Sequence, residues 1–164
     1  MTRVTRASGF TLIELMVVLI VVGIVLTTAL LYIRSPGPDE LRHQAASGLW
    51  AVSRAARDEA ILRHQVLGLR FERDNYQIQV RQNGTWSTPP EQGLYRLRTL
   101  PSGMELQLVS SAWIDQLDKD QSDTPQVLFL PNGEISAFEV AVRDLEGSGY
   151  ELIHTDEYNE IRLK

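Results

Sequence analysis

Residues 9–33 are GFTLIELMVVLIVVGIVLTTALLYI, and Glu14 is the only charged residue among them. Arg3 and Arg6 precede this run, so a short basic leader comes before a long apolar segment. A charged side chain at the centre of a membrane helix costs ~2.5–3.5 kcal/mol on insertion scales, so a carboxylate at the start of such a segment indicates a function. The alternative is that Glu14 lies near the membrane interface and extends its carboxylate into water.

The uncharged segment Leu15–Ile33 has the length of a membrane span. A helix rises about 1.5 Å per residue, so this segment can cross a hydrocarbon core of ~30 Å. A cleaved secretory signal has small residues after a shorter apolar core, whereas here the small residue Gly9 precedes the apolar run. The two arginines place the N-terminus in the cytoplasm. We therefore predict a transmembrane helix over residues 10–34, with the bulk of the chain on the far side.

The junction between Gly9 and Phe10 resembles the processing site of type IV prepilins. That family has a glycine, then Phe-Thr-Leu-Ile-Glu, then a hydrophobic helix, all of which stand here behind a basic leader. The resemblance implies that residues 1–9 are a cytoplasmic leader peptide that prepilin peptidase removes. It also implies N-methylation of Phe10, the new N-terminal residue. Residues 84–126 match no family motif.

Two later segments resemble the H-type minor pseudopilins, the GspH/XcpU family of bacterial type II secretion systems. They are residues 56–61, ARDEAI, and residues 128–133, LFLPNG. The resemblance implies a structural component of the secretion pseudopilus that takes part in tip assembly and supports protein export across the outer membrane. Minor type IV pilins of the FimT/FimU kind share the Phe-x-Pro-x-Gly pattern of the second segment. The alternative is therefore such a minor pilin, in pilus priming or DNA uptake.

The same resemblance implies the location and the partners of the chain. It implies a single-pass inner-membrane protein with a cytoplasmic N-terminus and a periplasmic C-terminal domain. The implied partners are the other minor pseudopilins, the major pseudopilin and the prepilin peptidase/methyltransferase. In a fibre of packed apolar helices, Glu14 and the N-terminal amine of a neighbouring subunit have few other partners. An isolated charge is costly in such surroundings, so we predict that Glu14 pairs with that amine during assembly.

Composition excludes several other functions. The chain has no cysteine, which excludes a disulfide framework and thiol catalysis, and its formal charge is −5. Loss of Arg3 and Arg6 with the leader takes that charge to −7, which disfavours a nucleic-acid partner. The three histidines are far apart, and the acidic cluster from Asp115 to Asp123 lacks the glycine and terminal glutamate of an EF-hand. We therefore predict no enzyme activity, no metal site and no cofactor.

After the apolar segment, the pattern predicts a linker and an amphipathic helix over residues 35–64. Prolines at 36 and 38 interrupt the first helix, and Asp39 is the predicted N-cap of the second. Apolar residues then recur at helical spacing, which predicts one core-facing stripe. This stripe consists of Leu41, Ala45, Leu49, Val52 and Ala56. Trp50 lies almost opposite the stripe, near Arg54, so the sequence predicts either a subunit interface there or a cover of Trp50 by its own domain.

Residues 65–164 are predicted to form a β-rich domain, because the period of the apolar residues changes to two. Turns are predicted at residues 73–75, 83–84 and 131–133. The predicted strands cover residues 66–72, 76–81, 95–100, 104–109, 127–130, 135–142, 150–154 and 160–163. The expected fold class is α+β and pilin-like. Its long N-terminal helix, part transmembrane and part amphipathic, packs on an antiparallel sheet or small sandwich.

Overall fold

The computed structural model describes residues 11–31, 36–90, 92–113, 124–147 and 149–164, with the backbone alone for residues 27–31. The leader, the Gly9–Phe10 junction and the acidic segment 115–123 lie outside the described residues. The chain divides into two compact units, Met1–Pro36 and Gly37–Lys164.

The first unit contains helix α1, Leu12–Leu31. Thr11 caps its start, since its Oγ1 and its carbonyl oxygen accept the Glu14 amide at 3.3 and 3.1 Å. The side chains from Thr11 to Leu26 are all exposed. Within the described residues, no helix meets the length and apolarity required of a membrane span.

The second unit begins with helix α2, Pro38–Arg63. Its N-cap is Gly37, so the predicted N-cap at Asp39 is wrong. Pro38 is the reason, because its fixed φ and missing amide hydrogen suit the first helical position. Asp39 lies in the first turn instead, where its Oδ1 pairs with Arg42 Nη2 at 2.7 Å. The C-cap of the helix is His64, which takes a left-handed conformation with φ 52°.

In the described part of the chain, nine strands follow α2, and the pairings between them are antiparallel. The first sheet has the order β3-β2-β1-β6, with β4 also paired to β2, and the second has the order β5-β7-β8-β9. The strands are β1 Leu67–Phe71, β2 Asn75–Gln82, β3 Thr85–Ser87, β4 Arg98–Thr99, β5 Met104–Ser111, β6 Val127–Phe129, β7 Phe138–Asp144, β8 Tyr150–Thr155 and β9 Ile161–Leu163.

The predicted strand over residues 95–100 is wrong in its first half. Residues Gly93–Tyr95 form a 3-10 helix, and only Arg98–Thr99 pairs with β2. Gly93 has a φ of +55°, which turns the chain away from an extended path. The guanidinium of Arg98 then donates to the carbonyls of Gly93, Leu94 and Arg96 at 2.8–2.9 Å, which stabilises a compact loop.

Two other strand predictions also differ from the structure. The predicted strand from residue 135 begins only at Phe138, because Ile135 makes a single bridge to Phe129 within the turn region. Strand β3 was not predicted. It follows the turn Asn83–Gly84, whose φ values of 51° and 83° suit a tight hairpin.

Helix α2 packs against both sheets, with contacts to β1, β6, β7, β8 and β9. Leu49 and Ala56 of the predicted stripe are fully buried. Ala46 and Ser53 are also fully buried, so the buried face is wider than the stripe. A stripe that serves one sheet is narrower than the face that two sheets cover, and this explains the difference. Small side chains along the helix let both sheets approach its axis.

Candidate assembly sites

The two segments that resemble H-type pseudopilins meet in the structure, although 76 positions separate Arg57 from Gly133. Arg57 Nε donates to the Gly133 carbonyl oxygen at 2.9 Å. Gly133 has a φ of +87°, and a Cβ added there would lie 3.4 Å from Ile61 Cδ1. Both facts favour glycine at this turn. The second half of α2 and the Pro131–Gly133 turn therefore form one structural unit.

Asn159 completes this contact, and the sequence analysis missed it. Its Nδ2 donates to the Gly133 carbonyl at 2.9 Å, and its Oδ1 accepts the Ile135 amide at 2.9 Å. Asn159 has a φ of +60°, a conformation in which asparagine is enriched. Asp156 shapes its loop by accepting amides from Tyr158 and Glu160, and the hydrogen bond from Arg162 holds the pKa of the Asp156 carboxyl below its usual value. The only signal in the sequence was an asparagine within a short polar turn.

Trp50 does not lie on a free face of α2. Its side chain is half-buried, and its Nε1 donates to the Ile161 carbonyl oxygen in β9 at 2.9 Å. On a wheel of about 100° per residue, Trp50 is only about 40° from the fully buried Ala46, which the predicted stripe did not include. A strand of the same domain therefore covers part of the indole. The role of Trp50 and Arg54 as a subunit interface stays a prediction.

Arg54 is exposed and lies over the Trp50 ring, 5.0 Å from the ring centroid. An exposed cation–π contact of this kind contributes ~0.5–1 kcal/mol.

We expect Trp50→Ala to lower the free energy of unfolding by ~2–4 kcal/mol, since it removes indole packing and leaves the Ile161 carbonyl without its donor. Trp50→Phe keeps most of the apolar area and should cost only ~1 kcal/mol. Urea unfolding of the detergent-solubilised chain, followed by circular dichroism, measures both. Arg54→Ala is the control for the cation–π contact. If Trp50→Ala unfolded at the same urea concentration as the wild type, the contact between α2 and β9 would not be stabilising.

Arg42 holds the first turns of α2 to the β7–β8 connection. Its Nη1 pairs at 3.1 Å with Oδ2 of Asp144, a residue only 4% exposed. A Cβ added to Gly149 would lie 3.0 Å from the guanidinium carbon, so the backbone there packs directly on Arg42. The ion pair between Arg42 and Asp144 joins residues 102 positions apart, and the sequence analysis did not predict it.

Glu14 lies in the first turn of α1, among exposed apolar side chains such as Leu12 and Leu19. Within the described part of the chain, no hydrogen bond or ion pair to its carboxylate is found. An exposed apolar helix with one carboxylate near its start can pack against other such helices. The Glu14 carboxylate can then meet a cation that the isolated chain does not supply.

The comparisons with known proteins concern both halves of the chain. A family model described as type II transport protein GspH matches residues 45–155, and one described as a prokaryotic N-terminal methylation motif matches residues 4–30. Type II secretion system protein H of Pseudomonas aeruginosa is 33% identical, over 90% of this chain and 91% of its own length. The protein of the same name from Aeromonas hydrophila is 26% identical, over 96% of this chain and 93% of its own length.

Solved structures show the fold. The minor pseudopilin EpsH of the Vibrio cholerae type 2 secretion system superposes with a TM-score of 0.61 at 18% identity, over 75% of this chain and 95% of its own. The solution structure of Escherichia coli GspH gives a TM-score of 0.53 at 18% identity, over 81% and 94%. These likenesses confirm the predicted α+β, pilin-like fold.

Proposed function

Because the chain belongs to the GspH family of type II transport proteins, we propose that it is a minor pseudopilin, a structural and non-enzymatic component of the type II secretion pseudopilus. The observation that carries this function is α1, an exposed apolar helix with a single carboxylate, which comes before a second compact unit. The residues that the GspH family model matches include Arg57 and Gly133, whose hydrogen bond joins the two pseudopilin-like segments. This family match favours secretion over the alternative of a minor type IV pilin.

The proposal includes processing and a membrane anchor. Prepilin peptidase cuts between Gly9 and Phe10, and Phe10 is then N-methylated. The methylation-motif match over residues 4–30 and the basic leader support this. The uncharged segment Leu15–Ile33 supports a single inner-membrane span over residues 10–34, with the C-terminal domain in the periplasm. The proposed partners are the major pseudopilin and the other minor pseudopilins, in assembly of the tip.

Co-purification and complementation test this function together. In a strain that lacks the gene, the wild-type chain should restore export across the outer membrane and co-purify with the other pseudopilins. Restored surface piliation without any effect on export would favour the minor pilin instead.

Glu14→Ala should leave leader cleavage intact but lower co-assembly with other pseudopilins by more than about tenfold. The reason is that an N-terminal amine packed among apolar helices loses its counter-charge, and an unpaired buried charge costs ~3–5 kcal/mol. Mass spectrometry of the mature N-terminus and quantitative co-purification measure the two effects separately. Glu40→Ala, an exposed carboxylate in the first turn of α2, is the matched control. Wild-type co-assembly of the Glu14 variant would leave Glu14 as a residue of the membrane interface only.

A further inference from the structure

Helix α2 and the segment Arg96–Pro101 enclose an open groove of about 630 Å³. On the helix side its lining is small, with Ala45 and Gly48. On the other side Leu97 and Leu100 make an apolar wall, and Leu97 is 43% exposed. The groove is therefore open and partly apolar.

The side chain of Tyr76 is buried, but its hydroxyl group opens onto this groove. Tyr76 is only 5% exposed and lines the groove from β2. A Cβ added to Gly48 would lie 3.5 Å from the Tyr76 hydroxyl oxygen, so the missing side chain of Gly48 leaves the hydroxyl open to the groove. Among the described residues, this hydroxyl makes no hydrogen bond. The hydroxyl oxygen is not among the fully enclosed unpaired atoms, so it is accessible from the groove and can donate a hydrogen bond to an incoming acceptor.

Two arginines beside Tyr76 carry positive charge that no carboxylate of the described chain neutralises. Other arginines of this unit, such as Arg42 and Arg73, pair with carboxylates, but Arg96 and Arg98 do not. The guanidinium of Arg98 is held by three backbone carbonyl contacts, so its charge is fixed in place. Arg96 is exposed and lines the groove.

The ionisation of Tyr76 and Arg98 reflects the same surroundings. Burial raises the pKa of Tyr76, and Arg98 and Arg96 oppose that rise. Burial also lowers the pKa of Arg98. The groove thus combines a partly desolvated cation, an accessible cation and a free hydroxyl donor, beside an apolar wall. A carboxylate is a suitable acceptor for such a site, because its oxygens accept hydrogen bonds from both hydroxyl and guanidinium groups.

We propose that this groove binds an extended segment of a neighbouring pseudopilin subunit, in which a carboxylate stands beside apolar side chains. The inference rests on the proposed function, since it takes another subunit of the pseudopilus as the occupant. Charge complementarity supports an acidic occupant, because neither Arg96 nor Arg98 has a carboxylate partner in the described part of the chain. The apolar wall favours a peptide over a free anion.

A peptide titration tests the chemistry without any secretion assay. The full chain in non-ionic detergent is titrated with acetyl-Pro-Leu-Glu-Val-amide and with the same peptide carrying Gln in place of Glu. The Glu peptide should bind about tenfold more tightly, as expected for hydrogen bonds to a charged acceptor. Tyr76→Phe and Arg96→Gln should each remove most of this difference. Arg81→Gln, an exposed arginine outside the groove, should leave it unchanged.

Neither Tyr76→Phe nor Arg96→Gln is expected to destabilise the fold. Tyr76→Phe removes a hydroxyl that makes no hydrogen bond within the described chain, and the side chain of Arg96 is exposed. Their unfolding midpoints should match that of the wild type. Equal binding of the Glu and Gln peptides would overturn the proposal. Inorganic phosphate that binds as tightly as the Glu peptide, or phosphatidylglycerol vesicles whose binding Arg96→Gln abolishes, would also overturn it.

Co-purification separates this inference from the proposed function. If the wild-type chain co-purifies with the other pseudopilins and Arg96→Glu reduces that yield severalfold, the groove is the binding site. If Arg96→Glu and Tyr76→Phe co-purify as well as the wild type, the groove inference fails while the proposed function stands. If the wild type does not co-purify with any pseudopilin, both fail.

Discussion

Gly9→Val should accumulate in the inner membrane as uncleaved precursor, with cleavage slowed by at least about a hundredfold. The peptidase has to bring its catalytic groups close to the backbone at the Gly9–Phe10 bond. A β-branched side chain at that position displaces the bond, and a displacement of ~1 Å is enough to cost about a hundredfold in rate. Mass spectrometry of the membrane fraction measures the ratio of precursor to mature chain.

Gly23→Val is the matched control for this experiment. It makes the same substitution inside α1, where an added Cβ meets nothing within 4 Å in the isolated chain. The Gly23→Val chain should be cleaved at the Gly9–Phe10 bond as efficiently as the wild type, even if the substitution changes its assembly with other subunits. A normal mature N-terminus at Phe10 in the Gly9→Val chain would show that the junction tolerates bulk, and the proposed cleavage site would have to move.

Leu49→Ala should lower the free energy of unfolding by ~2–5 kcal/mol, the range for removal of a fully buried leucine. Leu49 is 0% exposed at the centre of α2, where it faces the core that the two sheets share. Neighbouring Ala46 and Ala56 are too small to fill the cavity by moving their side chains. Urea unfolding followed by circular dichroism measures the loss.

Leu62→Ala is the control, since Leu62 is on the same helix and 77% exposed. It should change stability by less than about 0.5 kcal/mol. If the two variants had equal midpoints, Leu49 would not be in a packed core, and the contact of α2 with both sheets would be in doubt.

Much of the architecture follows from patterns along the chain. Period-two apolar residues predicted β1, β2, β5, β6 and β8 to within about two residues at each end, and in β2 the buried Tyr76, Ile78 and Val80 follow that period. Helical spacing predicted α2 and its stripe, with Leu49 at the centre. Motif residues predicted the family, because Gly9, Phe10 and Glu14 occur in an unusual order next to an apolar run.

What the patterns missed depends on contacts between distant residues. The wheel placed Trp50 opposite the core because the predicted stripe left out the buried Ala46 and Ser53, and the second sheet brings β9 against the indole. The Arg42–Asp144 pair joins a helix to a hairpin 102 positions later, which no local pattern encodes. Asn159 and the groove at Tyr76 have the same origin. Each forms only when a loop from one part of the chain meets a helix or turn from another.

The bond from Trp50 to Ile161 has a consequence for the order of folding. The two residues are 111 positions apart, so α2 cannot pack against β9 until nearly the whole second unit has been synthesised. Contacts of such long range slow folding, because the loop must close before the contact contributes any energy. Until then β9 and the indole face of α2 have no cover, and an unpaired strand edge readily pairs with other chains. Assembly therefore has to wait for the C-terminal strand, and a chain interrupted before Ile161 is expected to aggregate rather than to enter the fibre.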